Sequence, residues 1–317
     1  ECEMIHKLII PTPFAVGDVN AYLLKGDSLS LIDAGPKTPE AYEALERGIK
    51  EAGYSFSDIE QVFLTHHHPD HAGWIDAFPQ AKVYGHVYND LWLTRDPAFF
   101  AYHDEFYLER LIEEGVPEKY HSWVEKMKRP VSYLGNRPLD ATLEEGDLLP
   151  GHPGWGIIET LGHAQSHISF WHAENREMIG GDHILEKISS NPLIEPPLDP
   201  SAGRPQAMLQ YNESLRKVLT MPVEKIYSGH GNEVYNVHEL VVHRLERQHD
   251  RAMKVHAMIG QQPLTIFEIT QKLFPSVYEK ELGLTLSETI GQVDYLLAEG
   301  LAIESRDQNG VFSYAQA

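Results

Sequence analysis

The chain has 317 residues, 42% hydrophobic and 23% charged, which is ordinary globular composition and long enough for one large or two modest domains. Its formal net charge of −21 argues against a general nucleic-acid binder, because duplex affinity comes largely from Lys and Arg, although it leaves room for a local basic groove. The single cysteine, Cys2, excludes an intrachain disulfide, and no apolar run reaches the roughly 18–20 residues that cross a bilayer, so a reducing, cytoplasmic setting without membrane contact is expected.

The first ten residues, ECEMIHKLII, lack a basic stretch followed by a long apolar one, so no signal peptide is expected, and Met4 reads as a candidate natural start. His6–Ile10, Ala21–Leu24 and Leu29–Ile32 are short apolar runs between turn residues and predict an antiparallel meander. Thr38–Ala52 predicts an amphipathic helix with Thr38 as cap and Pro39 in its first turn, and Gln61–Thr65 predicts a strand. Residues 88–130 are dense in aromatics and predict two helices. Strands are expected again at Gly156–Thr160, His167–Trp171, Glu177–Gly181 and Lys225–Ser228, with a helix over Gln206–Leu219. After about residue 237 the pattern becomes helical: His238–Ile259, then Thr265–Leu273 opened by a Thr265/Glu268 capping box, then Ser287–Glu299 with Ser287 as cap. Leu301–Glu304 and Val311–Tyr314 flank an Asn309–Gly310 turn. This order predicts a layered α/β domain over residues 1–237 and a winged-helix-like domain over 238–317.

Histidine is the outlier of the composition, with 18 copies that cluster. The segment THHHPDHAG has one register that suits a metal, His66-x-His68-x-Asp70-His71, since the register beginning at His67 puts Pro69 at a ligand position. Imidazole nitrogen and carboxylate oxygen suit zinc, and also iron or manganese. Three later strands run into a ligand-type residue beside glycine: Gly162-His163, Gly181-Asp182 and Gly229-His230-Gly231.

In this order the motifs resemble the metallo-β-lactamase superfamily of metallohydrolases, over residues 5–237. The resemblance implies a four-layer αββα sandwich with metals at the strand ends. It implies His66, His68 and His163 as ligands of a first divalent metal, Asp70, His71 and His230 as ligands of a second, and Asp182 as the carboxylate bridging both. Zinc is the expected metal, with iron or manganese as alternatives. Asp33, in LIDAG, matches the family's first motif, where the aspartate supports the metal loop. The implied chemistry is metal-assisted hydrolysis, in which two cations turn a shared water into hydroxide and polarise the bond under attack. Asp70 then orients the hydroxide and passes on its proton.

The helical tail is similar to that of a subgroup that includes β-lactamase-like protein 2, some of whose members are endoribonucleases. Between residues 240 and 317, seven Lys/Arg stand against ten Asp/Glu, and LSETIGQVDYLLAEG, at the recognition-helix position, has no Lys or Arg. That disfavours RNA cleavage and a DNA-binding regulator, and predicts a structural or dimerising tail, compatible with a homodimer. The favoured function is hydrolysis of a small ester, thioester or lactone, with the 88–130 insertion as a lid whose Phe99, Phe100 and Tyr102 face an apolar acyl group. The alternatives are a phosphodiesterase or endoribonuclease of the same fold and, further off, a single-iron persulfide-dioxygenase-like enzyme. Leu185 stands where acyl-homoserine lactonases carry a tyrosine, and His68 where flavodiiron proteins carry glutamate. His167, His183 and Lys187 are further candidates for roles around the metals or substrate.

Overall fold

The computed structural model describes residues 4–317; Cys2 and the expectation attached to the residues before Met4 lie outside them. β1 (Met4–Ile10), β2 (Val19–Lys25) and β3 (Leu29–Ile32) form the antiparallel meander, with His6 paired to Leu23 and Leu23 to Leu31. α1 (Pro39–Glu51) follows, and the Thr38 side chain accepts from Ala41 N at its start. β4 (Gln61–Phe63), β5 (Lys82–Gly85) and β6 (Ala141–Thr142) then extend the sheet in parallel, giving the order β1-β2-β3-β4-β5-β6. Antiparallel pairing therefore stops at β3, because the chain between β3 and β4 crosses back through α1.

The second sheet has the order β10-β9-β8-β7, from β7 (Trp155–Glu159), β8 (Ile168–His172), β9 (Glu177–Gly181) and β10 (Lys225–Ser228). Its inner face meets the first sheet, with Tyr22, Leu24, Ile32 and Phe63 packed against Trp155, Ile157, Phe170 and Ile179. Leu45 and Ile49 of α1 cover the far face of the first sheet. On the far face of the second, Met178 and Ile226 lie beneath Tyr211 and Leu215 of α5 (Ala207–Leu219) and Val237 and Val241 of α6 (Val237–Gln261). Each sheet thus buries one face against its partner and one against helices, which is the αββα layering.

The insertion holds three helices where two were expected: α2 (Asn89–Leu93), α3 (Pro97–Glu113) and α4 (Trp123–Met127). Its aromatics mostly serve as core. Trp92 and Phe99 are buried with the first sheet's helices. Phe106 and Tyr107 are buried in a separate core with the C-terminal helices α7 (Ile266–Leu273) and α8 (Leu282–Ala298) and the hairpin β11 (Ala302–Arg306)–β12 (Phe312–Gln316). Thr265 and Glu268 form the expected capping box of α7.

Ser287 is not a cap. α8 begins five residues earlier, because Leu282 and Leu286 find apolar cover against the insertion, and Ser287 Oγ instead accepts from Ile194 N at 3.1 Å. The expected helix from His238 is α6, which begins at Val237 and buries Val241 against the second sheet's helical layer and Val255 and Ile259 in the C-terminal core. One helix therefore contributes to both cores.

Candidate metal centre

The metal loop leaves β4 beside the end of β3, where Asp33 sits at φ 63° in the left-handed region. The strain at this non-glycine residue is offset by three contacts to its carboxylate. Thr65 N donates to Oδ1 at 2.8 Å, and Thr65 Oγ1 and His71 Nδ1 both lie 2.8 Å from Oδ2.

These contacts determine the imidazole tautomers. His71 donates Nδ1–H to Asp33, which turns its Nε2 toward the cluster. Thr65 gives its one hydroxyl proton to Asp33, so its oxygen accepts from His66 Nδ1 at 2.8 Å, and His66 likewise presents Nε2. His163 donates Nδ1–H to the carbonyl of Asn191 at 2.8 Å, and His230 donates Nδ1–H to that of Asp18 at 2.7 Å. All four Nε2 atoms converge on one oxygen, Asp182 Oδ2: His71 at 3.1 Å, His230 at 3.3 Å, His163 at 3.4 Å and His66 at 3.6 Å. With each Nδ1 committed elsewhere, an Nε2 can meet this carboxylate only by taking up a proton or by sharing a cation with it. His66 Nε2, His163 Nε2 and Asp182 Oδ1 are buried without any hydrogen-bond partner. The donor set therefore fits a metal site, with borderline nitrogen and oxygen ligands at the spacing a cation requires.

Among the described residues the ligand-type atoms fall into three groups, His66/His68/His163, Asp70/His71/Asp182/His230 and His67/His68/Glu195, the atoms of each within 4.8 Å of one another. Asp70 Oδ2 lies 3.1 Å from His230 Nε2. Burial opposes charge throughout, and pushes the pKa of His66 well below the imidazole range and that of His68 down to about 4. At His71 and His230 burial is outweighed by the carboxylates, Asp182 foremost. His71 is held well above its ordinary value and His230 is pushed up to about 10. The same histidines hold the Asp182 carboxyl well below the carboxylate range against its burial. Positive charge is what this pocket demands.

Other predicted residues lie around the cluster. His167 Nε2 accepts from the backbone N of Asp182 at 3.1 Å and its Nδ1 lies 2.7 Å from Thr160 Oγ1, so it orients Asp182 from behind. Gly181, at φ 52°, makes room for it, since a Cβ there would lie 2.7 Å from His167 Nε2. His183 is in none of the ligand-type groups of the described residues; it is fully buried against Tyr211, and burial pushes its pKa down to about 3. Lys187 is exposed and lines a groove beyond the cluster. Phe99 is buried against Trp92 and His103, while Phe100 and Tyr102 are half-buried beside the same core rather than against the ligands.

Sequence reasoning missed Glu195. Its Oε2 lies 3.3 Å from His68 Nε2 and 3.0 Å from His67 Nε2, and its Oε1 accepts from Gln165 N at 2.7 Å. His68 therefore donates Nε2–H to Glu195 and keeps Nδ1 for the cluster. His67, set aside in choosing the motif register, stacks on Trp92 with ring centroids 5.1 Å apart, which ties the insertion to the metal loop. No local spacing signals either role; Glu195 sits in a Pro-rich loop with no motif of its own.

Comparison with known proteins agrees with this geometry. The description "Metallo-beta-lactamase superfamily" matches residues 15–230. The chain is 40% identical to the "probable metallo-hydrolase YqjP" of Bacillus subtilis over 98% of this chain and 97% of that one. It is 26% identical to the β-lactamase-like protein 2 homolog of Caenorhabditis elegans over 83% and 73% of the two chains. Among solved structures, a metallo-β-lactamase family protein from Thermus thermophilus superposes with a TM-score of 0.81 at 26% identity, covering 99% of this chain and 98% of the other. The ligand-bearing loops, the sandwich that presents them and these matches agree: the chain belongs to the metallo-β-lactamase superfamily of metallohydrolases.

Proposed function

We propose that the protein is a dinuclear hydrolase of small carboxylic esters, thioesters or lactones. The observation that carries the dinuclear part of this reading is the convergence of four imidazole Nε2 atoms, from the His66/His68/His163 and Asp70/His71/Asp182/His230 groups, on Asp182 Oδ2. One carboxylate oxygen shared in this way suits two adjacent cations. When bound, such a pair supplies a nucleophilic water near neutral pH and polarises the carbonyl under attack.

The chain's own residues do the rest. Asp33, Thr65, Asn191, Asp18 and Glu195 hold the five imidazoles in one tautomer each, so the ligands need no reorganisation. Asp70, whose carboxyl stays anionic because His71 and His230 outweigh its burial, orients the attacking water and carries its proton to the leaving group. The tail, three helices followed by a hairpin, is read as winged-helix-like. A more distant relative, a hydroxyacylglutathione hydrolase of Methylobacterium nodulans at 24% identity over 67% of this chain, favours thioesters within the class. The alternative is a phosphodiesterase acting on RNA, favoured by the β-lactamase-like protein 2 resemblance.

The test is a panel of thioesters, lactones, carboxylic esters and single-stranded RNA with metal-loaded protein, each repeated with Asp70→Ala. Ester or thioester turnover that Asp70→Ala abolishes is expected. RNA cleavage with the same dependence, and no ester turnover, overturns the substrate class.

A further inference from the structure

Beside the metal centre, α6 and α8 enclose a groove of about 870 Å³, within the size range of small-molecule sites. Its charge is opposite to that of the chain. Arg244, Arg247, Arg251 and Lys254 recur at helical spacing along one face of α6, and Lys187 joins them from the loop after β9. Against these five cations the groove holds two carboxylates, Glu281 and Glu288. Arg244 is committed to the structure, donating to the carbonyls of Leu185, Glu186 and Ile188 and so fixing the loop. Arg251 faces Glu288 at 3.8 Å. Among the described residues, Lys187, Arg247 and Lys254 have no carboxylate partner, although the chain carries 47 acidic residues. A protein this acidic that leaves three cations unpaired in one concavity has concentrated positive potential there.

The groove shares a wall with the metal centre. Asn191 lines it, and the carbonyl of the same residue takes the Nδ1–H of His163, with Ser190 Oγ also 2.8 Å from that nitrogen. Asn191 is thus common to the groove lining and to the support of His163.

We propose that this groove binds the phosphate groups of a small organic molecule, and that in the hydrolase reading it holds a phosphorylated arm of the substrate while the scissile bond lies at the metals. Its size and its five cations suit a mono- or diphosphate arm, whereas the chain as a whole, at a net charge of −21, disfavours an extended nucleic acid. Lys187, Arg247 and Lys254 supply the direct contacts, and Arg251 leaves Glu288 to join them.

The subsite role rests on the hydrolase reading, whereas anion binding does not, and the experiment separates the two. Binding of ADP and of inorganic pyrophosphate to the metal-loaded protein is measured by calorimetry, for the native chain and for Arg247→Gln/Lys254→Gln, both of whose changes lie on the solvent-facing side of α6. Saturable binding, weakened at least tenfold in the double variant with metal content unchanged, is expected. Turnover of an ester with a phosphorylated leaving group should then show a raised KM and unchanged kcat in the variant, with its unphosphorylated analogue unaffected. No saturable binding, or binding equally tight in the variant, overturns the proposal, the second because the anion then sits on the metals. Tighter binding of a single-stranded oligonucleotide that depends on the same two residues overturns the small-molecule assignment. Variant-sensitive anion binding without ester turnover leaves the groove standing and removes the ester-hydrolase reading.

Discussion

Glu195 accepts the Nε2–H of His68 across 3.3 Å, although 127 residues separate them in the chain. Its carboxyl is held far below the carboxylate range because His67 and His68, both beside it, outweigh a complete burial. Removing that charge should loosen His68 as a ligand without disturbing the other site. Glu195→Gln is expected to weaken metal at the His66/His68/His163 group by about 10–100-fold, the range seen for carboxylates that orient ligating histidines. Chelator competition with metal analysis checks this, and retained far-UV circular dichroism shows that the fold is intact.

Gly229 is required by contact. A Cβ there would overlap Asp182 Oδ1 and lie 2.9 Å from His71 Cε1 and 3.0 Å from the Gly181 carbonyl. Two of these are ligands of the same group and none is the end of a flexible chain. Gly229→Ala should therefore displace Asp182, lowering metal content and reducing turnover at least tenfold, with a stability loss of about 1–3 kcal/mol typical of overpacking. Normal metal content and turnover would show that Asp182 has slack the geometry does not indicate.

Glu114, at the end of α3, is buried, and burial pushes its carboxyl up to about 7 against the favourable charges of Arg204 and Arg110 and a hydrogen bond from Tyr314 at 3.1 Å. Asp294, paired with Arg204, adds to the upward push. The folded protein therefore holds a proton there that the unfolded chain releases near pH 4.5, the ordinary value for Glu. Stability should fall as pH rises from about 4.5 to about 7, by on the order of 3 kcal/mol from this group, and level off above. Glu114→Gln removes the slope, so chemical denaturation at pH 5 and pH 8 should differ less in the variant than in the native chain.

Ending the chain at residue 236 strips α6 from Tyr211 and Leu215, and α7 and α8 from Phe106 and Tyr107. Each such side chain loses burial worth about 1.5–3 kcal/mol. The truncated protein is expected to aggregate, as size-exclusion chromatography would show. A soluble, monodisperse and metal-binding fragment would mean that the sandwich closes without α6.

Much of the fold was legible because strand and helix periods are local. Pro39 and Thr38, and Thr265 with Glu268, announced helix starts at the positions where they occur. Ser287 misled for the opposite reason. It has the residue type of a cap, but the apolar residues before it gain burial by remaining helical. The aromatics of the insertion were visible as a stripe, yet whether a stripe faces a substrate or a core depends on what lies opposite, and here α7, α8 and the first sheet lie opposite.

The seven ligand-type residues could be named from sequence because metal sites demand rare side chains, and His66, His68, Asp70 and His71 crowd into one loop where their spacing is itself the signal. Which nitrogen each imidazole presents, and the part played by Glu195, were decided only by tertiary structure, since those contacts join residues far apart in the chain. The charge of the tail shows the same division. Its count of acidic over basic residues is correct, but a count averages around a helix. Only the packing of α6 against α8 places Arg247, Arg251 and Lys254 on one concave wall and leaves the acidic excess elsewhere.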